Sequence, residues 1–178
     1  LRACGLLEDT IIVYTSDHGD MMASHRLLAK CTQFEEAARV PLLVRIPGVT
    51  AAGRRVAAPV SQVDLVPTIL QAAGQPLPEG LQGASWLPFL RGEAPSLPRE
   101  DVVYEWQGYN NGFGDVLGRA SILPQWLSVA TEQEIIAAMG DPVRTVVTPD
   151  GWKYTWSTLG EDELYHLAED PYETHNLI

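Results

Sequence analysis

Cysteine is scarce in this sequence. Cys4 and Cys31 are the two present in 178 residues, too few for a disulfide framework. Cys4 falls at a helix end and Cys31 beside a polar loop. Two unpaired thiols suit a reducing compartment, which slightly favours a cytoplasmic location. Positive charge is scarce as well. Lys and Arg number 12 against 23 Asp and Glu, a net charge of -11. No Lys/Arg cluster offers the basic face that a nucleic-acid binder needs, so no nucleic-acid partner is expected. An anionic substrate gains no long-range steering from such a field and requires a local positive site. Long apolar runs are missing too. None approaches the roughly 18 residues of a membrane span, so none is expected. The chain has no basic segment followed by an apolar one at its start. It opens on "LRACGLLEDT", which reads as the last turn of a helix stopped at Gly5, and it closes on "THNLI" with no final element. A fragment of a longer protein is therefore expected.

What is present is 46% hydrophobic residues with mean hydropathy near zero, as in a globular α/β protein of one domain with a small appendage. "DTIIVYTS" reads as a parallel strand covered on both faces. Thr32 with Glu35 reads as a capping box opening a short helix through Ala38, and "LLVRI" reads as a second strand closed by Pro47-Gly48. "VDLVPTILQAAG" reads as a helix with Asp64 as N-cap, Pro67 in the first turn and Gly74 just past its end. "SWLPFLRG" repeats that punctuation. A Pro/Gly-rich stretch, 74–98, marks a subdomain boundary, so residues 1–98 form one part and 99–178 a second. In the second part "DVVYEW", "VRTVVT", "WKYTWS" and "ELYHL" read as strands of a small antiparallel sheet. An insertion at about 107–140 is Gly/Asn-rich at first, then helical in "ATEQEIIAAMG".

The stretch "YTSDHGDMMASHRLLAK" concentrates chemistry-bearing groups where the first strand ends, the edge at which open α/β sheets collect ligands. Asp17 and His18 could share one metal ion through a turn allowed by Gly19. They read equally as a polar loop in which Asp17 caps the next turn. Lys30, 13 residues beyond Asp17, could hold an oxyanion in a dry cleft, or be a solvated surface lysine. His25 could donate to the same anion, or be a structural histidine. Arg39 reads as an ion-pair partner of Glu35 or Glu36. Among the aromatics, Trp106 and Tyr109 are the better substrate contacts because they border the insertion; the others read as core of the sheet. Glu105 faces the site or pairs with Arg144.

Taken in order, the strand, "SDHG", a following histidine, Lys30, "FEEAARVPLLV" and Pro47-Gly48 closely resemble the second half of the catalytic domain of type I sulfatases, in the alkaline phosphatase superfamily. "VDLVPTILQAAG" and "GWKYTW…EDELYHLAEDPYETHNL" resemble the helix and closing sheet of that family. "SDHG" is shared across the superfamily, whereas the Lys30 context leans toward sulfatases and their phosphonate monoesterase relatives. The resemblance implies the C-terminal part of an alkaline-phosphatase-like α/β sandwich followed by a small antiparallel sheet. It implies that Asp17 and His18 ligate a divalent metal, calcium first and manganese second. It also implies that Lys30 contacts sulfate and the bridging oxygen, with His25 helping on the substrate side. The implied partner is a small-molecule or saccharide sulfate ester; a homo-oligomer is left open. The family nucleophile is a formylglycine made from a Cys/Ser-x-Pro-x-Arg motif. This chain has no such motif: "CGLLE", "CTQFE" and "SLPR" all depart from it. The nucleophile and the other metal carboxylates are expected upstream, and the chain alone is expected to be inactive. The alternatives are a phosphodiesterase or phosphonate monoester hydrolase of the same architecture, and a non-catalytic binding module.

Overall fold

In the computed structural model, residues 1–108, 124 and 126–178 are described. A short 3-10 turn, Arg2–Cys4, is closed by Gly5 in the left-handed conformation (φ 68°). Strand β1 (Ile12–Thr15) then runs into the polar loop and pairs with β2 (Leu42–Arg45). The pairing is antiparallel, with Ile12 opposite Arg45 and Thr15 opposite Leu42. The parallel partner expected for β1 is thus not its neighbour among the described residues; a β-branched run favours extended backbone but carries no information about the direction of the next strand. The cross-strand pair Tyr14 and Leu43 is 60% and 64% exposed, so this face of the ribbon is open and not covered on both sides. Arg45 ties β2 to the N-terminal turns by an ion pair to Glu8 at 2.9 Å and contacts to the Leu7 and Thr10 carbonyls.

Between the two strands lies helix α1 (Glu35–Ala38), a single turn whose N-cap is Phe34 and which has no side-chain cap. Thr32 therefore does not close the expected capping box. Glu35 also takes no part in an ion pair with Arg39; it pairs with Lys153 instead. Helix α2 (Leu65–Ala72) follows a 3-10 turn, Gln62–Asp64, and ends before Gly74 (φ 70°) as its sequence indicates. Asp64 stands at the N-cap position but its carboxylate does not cap. It is buried and accepts hydrogen bonds from the Ala84 amide (2.7 Å), Trp86 Nε1 (3.3 Å) and Arg99 Nε (3.0 Å). A buried carboxylate needs several donors, and this one uses them to stitch the Pro/Gly-rich stretch and helix α3 (Leu87–Arg91) onto α2.

The second part is an antiparallel meander, β3 (Val102–Trp106), β4 (Val143–Val147), β5 (Trp152–Ser157) and β6 (Glu163–His166), in the spatial order 3-4-5-6. All four strands coincide with the aromatic and β-branched runs read from the sequence. Helix α4 (Glu132–Gly140) lies in the insertion, opened by a true capping box between Thr131 and Glu134. Glu105 and Arg144 face each other across β3 and β4 and form an ion pair at 3.2 Å. No helix among the described residues is long and apolar enough to cross a membrane.

One face of the meander is buried and unusually polar, carrying Thr145, Lys153, Thr155, Ser157 and Tyr165. Burial pushes the Tyr104 phenol up to about 12, and Lys153 beside it offsets only part of that shift. Burial, with Glu163 and Glu173 nearby, likewise pushes Tyr165 up to about 12. Burial works against the charge on Lys153, yet the Tyr104, Glu173 and Glu35 around it outweigh burial and raise its pKa. All three folded-state values lie above the unfolded ones. The stabilisation from the two phenols is therefore complete below about pH 10 and lost as pH rises through about 12, and that from Lys153 is likewise lost on the alkaline side. An ultraviolet tyrosinate titration is expected to show two late phenols, with loss of far-ultraviolet circular dichroism over the same window. Ionisation of all tyrosines near pH 10 without unfolding would contradict this.

Candidate active site

The loop after β1 is built by its own polar groups. Ser16 Oγ donates to the His18 carbonyl (2.8 Å), and the His18 amide donates to Asp17 Oδ1 (3.0 Å). That amide, the largest influence, holds the Asp17 carboxyl below its ordinary pKa, so it is ionised at neutral pH. Gln62 Nε2 from the turn before α2 donates to the Ser16 carbonyl at 2.5 Å. Gly19 follows because nothing larger fits: a Cβ there would stand 1.9 Å from the Glu36 carbonyl oxygen. Its amide donates to the Ala37 carbonyl at 2.8 Å, pinning the loop to α1. Gly19→Ala must displace backbone on one side or the other. It is expected to cost about 1–3 kcal/mol, seen as a lowered urea midpoint; an unchanged midpoint would show that the approach can relax.

His18 is oriented by its neighbour. Nδ1 lies 2.6 Å from the Gly19 carbonyl, which can only accept, so Nδ1 carries the proton and Nε2 presents a lone pair. That nitrogen faces Asp17 Oδ2 at 3.3 Å and Lys30 Nζ at 2.5 Å. An imidazole fixed in this tautomer by a carbonyl is the arrangement that prepares a metal ligand. Two donor atoms 3.3 Å apart are also spaced as neighbours on one ion with bonds of about 2.0–2.6 Å. The donor set thus fits two positions of a divalent metal shell. It does not fill one: among the described residues no group of three or more His, Cys, Asp or Glu is gathered to hold a metal, and calcium takes roughly 6–8 oxygens.

Asp17, His18 and Lys30 open onto a cleft of about 1100 Å³ between the first part of the chain and the sheet, and Trp106 and Glu105 line its far side. His25 stands apart from this group. It does not line the cleft; its ring stacks on Phe34 with centroids 3.8 Å apart and planes 6° from parallel. Tyr109 lies outside the described residues. The loop that carries His25 and Lys30 holds Met22, Ala23, His25, Arg26, Ala29 and Cys31 at positive φ, between 47° and 77°. Such conformations cost free energy in non-glycine residues and cluster at functional sites.

Residues missed by sequence reasoning lie behind this loop. Lys153, 1% exposed, forms ion pairs with Glu35 (3.2 Å) and with Glu173 (2.6 Å), the latter fully buried. Glu173 Oε2 also accepts the Glu35 amide at 2.6 Å. Tyr104 donates to the Gln33 carbonyl at 2.9 Å, and Thr145 to Gln33 Oε1 at 3.0 Å. The one available signal was a lysine on the same strand parity as Thr155 and Ser157, away from the tryptophans.

A carboxylate, an imidazole and a lysine thus gather at the end of β1 and face the antiparallel four-stranded sheet across the cleft. Residues 23–116 match the family model described as N-sulphoglucosamine sulphohydrolase, C-terminal. The chain belongs to this sulfatase family and corresponds to its C-terminal part. It is 48% identical over 180 aligned positions to arylsulfatase K of Bos taurus, an alignment covering 99% of this chain and 29% of the relative. Among solved structures it superposes on a protein in complex with its substrate D-glucosamine-2-N,6-O-disulfate (TM-score 0.74, 29% identity, 99% of this chain and 31% of that one). It also superposes on the phosphonate monoester hydrolase of Agrobacterium radiobacter (TM-score 0.73, 30% identity, 99% and 32%). The chain thus spans about a third or less of the length of the relatives it matches.

Proposed function

We propose that the protein carrying this chain hydrolyses sulfate esters, and that the chain supplies half of the active site. The observation that supports this reading most is the meeting of Asp17, His18 and Lys30 at the carboxyl end of β1, with the Nε2 lone pair turned toward the carboxylate and the ammonium. Asp17 and His18 would hold two positions of a divalent ion, calcium in preference to manganese. Bound there, the ion would neutralise charge on the anion's oxygens. Lys30 binds the same oxygens and stabilises the negative charge that builds on the departing alcohol oxygen. His25, stacked on Phe34, supports the loop that presents Lys30 and is not assigned a contact with substrate. Trp106 offers an apolar wall on the substrate's alcohol side. A sulfated saccharide is the favoured substrate class, by analogy with the glucosamine disulfate bound by the solved relative. The nucleophile, a formylglycine in this family, and the remaining metal carboxylates would come from sequence outside this chain.

Because two donors do not make a calcium site, the isolated chain is expected to bind calcium only weakly and to turn over no sulfate ester. Calorimetric titration checks the first point; a micromolar site on the chain alone would overturn the half-site reading. A second reading, phosphonate monoester hydrolysis, draws on the likeness to the Agrobacterium enzyme. Assays of the protein at the length of its relatives, on aryl sulfate, phosphonate monoester and phosphodiester substrates, rank the two. Sulfate turnover at least tenfold above the others supports the first.

A further inference from the structure

We infer that Lys153 is a positioning residue: with Glu35 and Glu173 it forms a buried clamp through which the C-terminal sheet holds the strained Lys30 loop in its working shape. The inference extends the sulfatase reading above and rests on it for the meaning of Lys30. Its grounds are geometric. The loop from Met22 to Cys31 holds six non-glycine residues at positive φ. Such a segment persists only where its surroundings over-determine it, and both of its ends are tied. At the first end, the Gly19 amide donates to the Ala37 carbonyl and the Met21 amide to the Ala29 carbonyl (2.7 Å), with Met21 wholly buried. At the second end, residues 33–35 are held by three strands and the C-terminal segment together. Tyr104 of β3 takes the Gln33 carbonyl, Thr145 of β4 its side chain, Lys153 of β5 the Glu35 carboxylate, and Glu173 the Glu35 amide.

Phe34, in the middle of the clamped segment, stacks on His25 and carries the restraint back into the loop. Glu173 is itself at positive φ (52°) and fully buried, so the clamp holds a strained residue of its own. Four long-range ionic and hydrogen-bonding groups on one short segment are more than are needed to attach a four-residue helix. They set the direction in which the chain leaves residue 31, and hence where the Lys30 ammonium stands relative to His18.

The test separates positioning from simple stabilisation, in the protein at the length of its relatives. Lys153→Met is compared with the charge-free triple variant Glu35→Gln, Lys153→Met, Glu173→Met. Removing all three charges relieves the buried imbalance, so the triple variant is expected to recover most of the melting temperature that Lys153→Met loses. Turnover of aryl sulfate is nevertheless expected to stay at least tenfold below wild type in both. Amide hydrogen exchange across 22–31 is expected to quicken at least tenfold in both, with exchange in β4 and β5 unchanged in the triple variant. A triple variant with wild-type turnover, or with unchanged exchange across 22–31, overturns the inference. Should the triple variant not fold, Tyr104→Phe removes one bond alone, that to the Gln33 carbonyl. It is expected to quicken exchange across 22–31 about threefold, and unchanged exchange there overturns the inference equally. A wild-type protein that hydrolyses none of the esters sinks the proposed function, while the exchange measurement still decides whether the clamp holds the loop.

Discussion

Lys30→Ala is expected to lower kcat for a sulfate ester by about 10²–10³, the loss typical of removing one donor from a preorganised anion site, while the fold is left intact. Two features give Lys30 this weight. It is the cation that the structure brings to Asp17 and His18, its Nζ standing 2.5 Å from His18 Nε2. The chain's field is also repulsive to anions at a net charge of -11, so the local positive site must do what long-range attraction does not. Lys30 is not part of the buried core, so its removal should leave the urea midpoint within the small range of surface changes, about 0.5 kcal/mol. Lys30→Arg should recover little, because a planar fork does not fill the place of a compact point charge. The check is steady-state kinetics beside a denaturation curve. Turnover within threefold of wild type would remove Lys30 from the active site.

Much of this was legible locally. The four strands of the meander announce themselves by β-branched and aromatic runs with Gly/Pro turns between them, because both signals are local. The Asp-His-Gly loop and Lys30 are close in sequence, so their meeting needs only a turn. The failures share one cause. Glu35 carries an N-terminal capping signal with Thr32, yet its carboxylate is drawn to a lysine on β5 and its amide to Glu173. Asp64 carries another, yet its carboxylate is taken by Trp86, Ala84 and Arg99. In each case a buried charged or polar partner far along the chain outbids a local cap worth about 1 kcal/mol. Lys153 was illegible for the same reason. A lysine in a strand ordinarily means a solvated edge, and nothing near it in sequence announces two carboxylates arriving from residues 35 and 173. The direction of the partner of β1 was never encoded in β1 at all.

Lys153→Met is expected to destabilise the fold by about 3–5 kcal/mol, the range for breaking a buried ion pair from one side. Lys153 is 1% exposed and Glu173 fully buried, so solvent cannot replace the lost ammonium, and Glu173 is left as an unpaired buried anion. Against a total stability of roughly 5–15 kcal/mol, that loss brings the protein near unfolding at physiological temperature. The pH dependence identifies the cause. Burial already raises the Glu173 pKa above its ordinary value, and Lys153 is the largest influence opposing that shift. Removing the lysine raises it further. A carboxyl whose folded pKa lies above its unfolded one contributes stability that is present below about pH 4.5 and is lost as pH rises through the folded value. The gap between variant and wild type should therefore be widest at neutral pH and shrink as pH falls toward 4.5. Adding Glu173→Met should close most of it at pH 7, because the orphaned charge is then gone. Urea midpoints for the wild type, the single variant and the double variant at two pH values supply the comparison. A gap that is independent of pH, or one that Glu173→Met leaves untouched, would mean that Lys153 acts by packing its aliphatic stem and not by holding the two carboxylates.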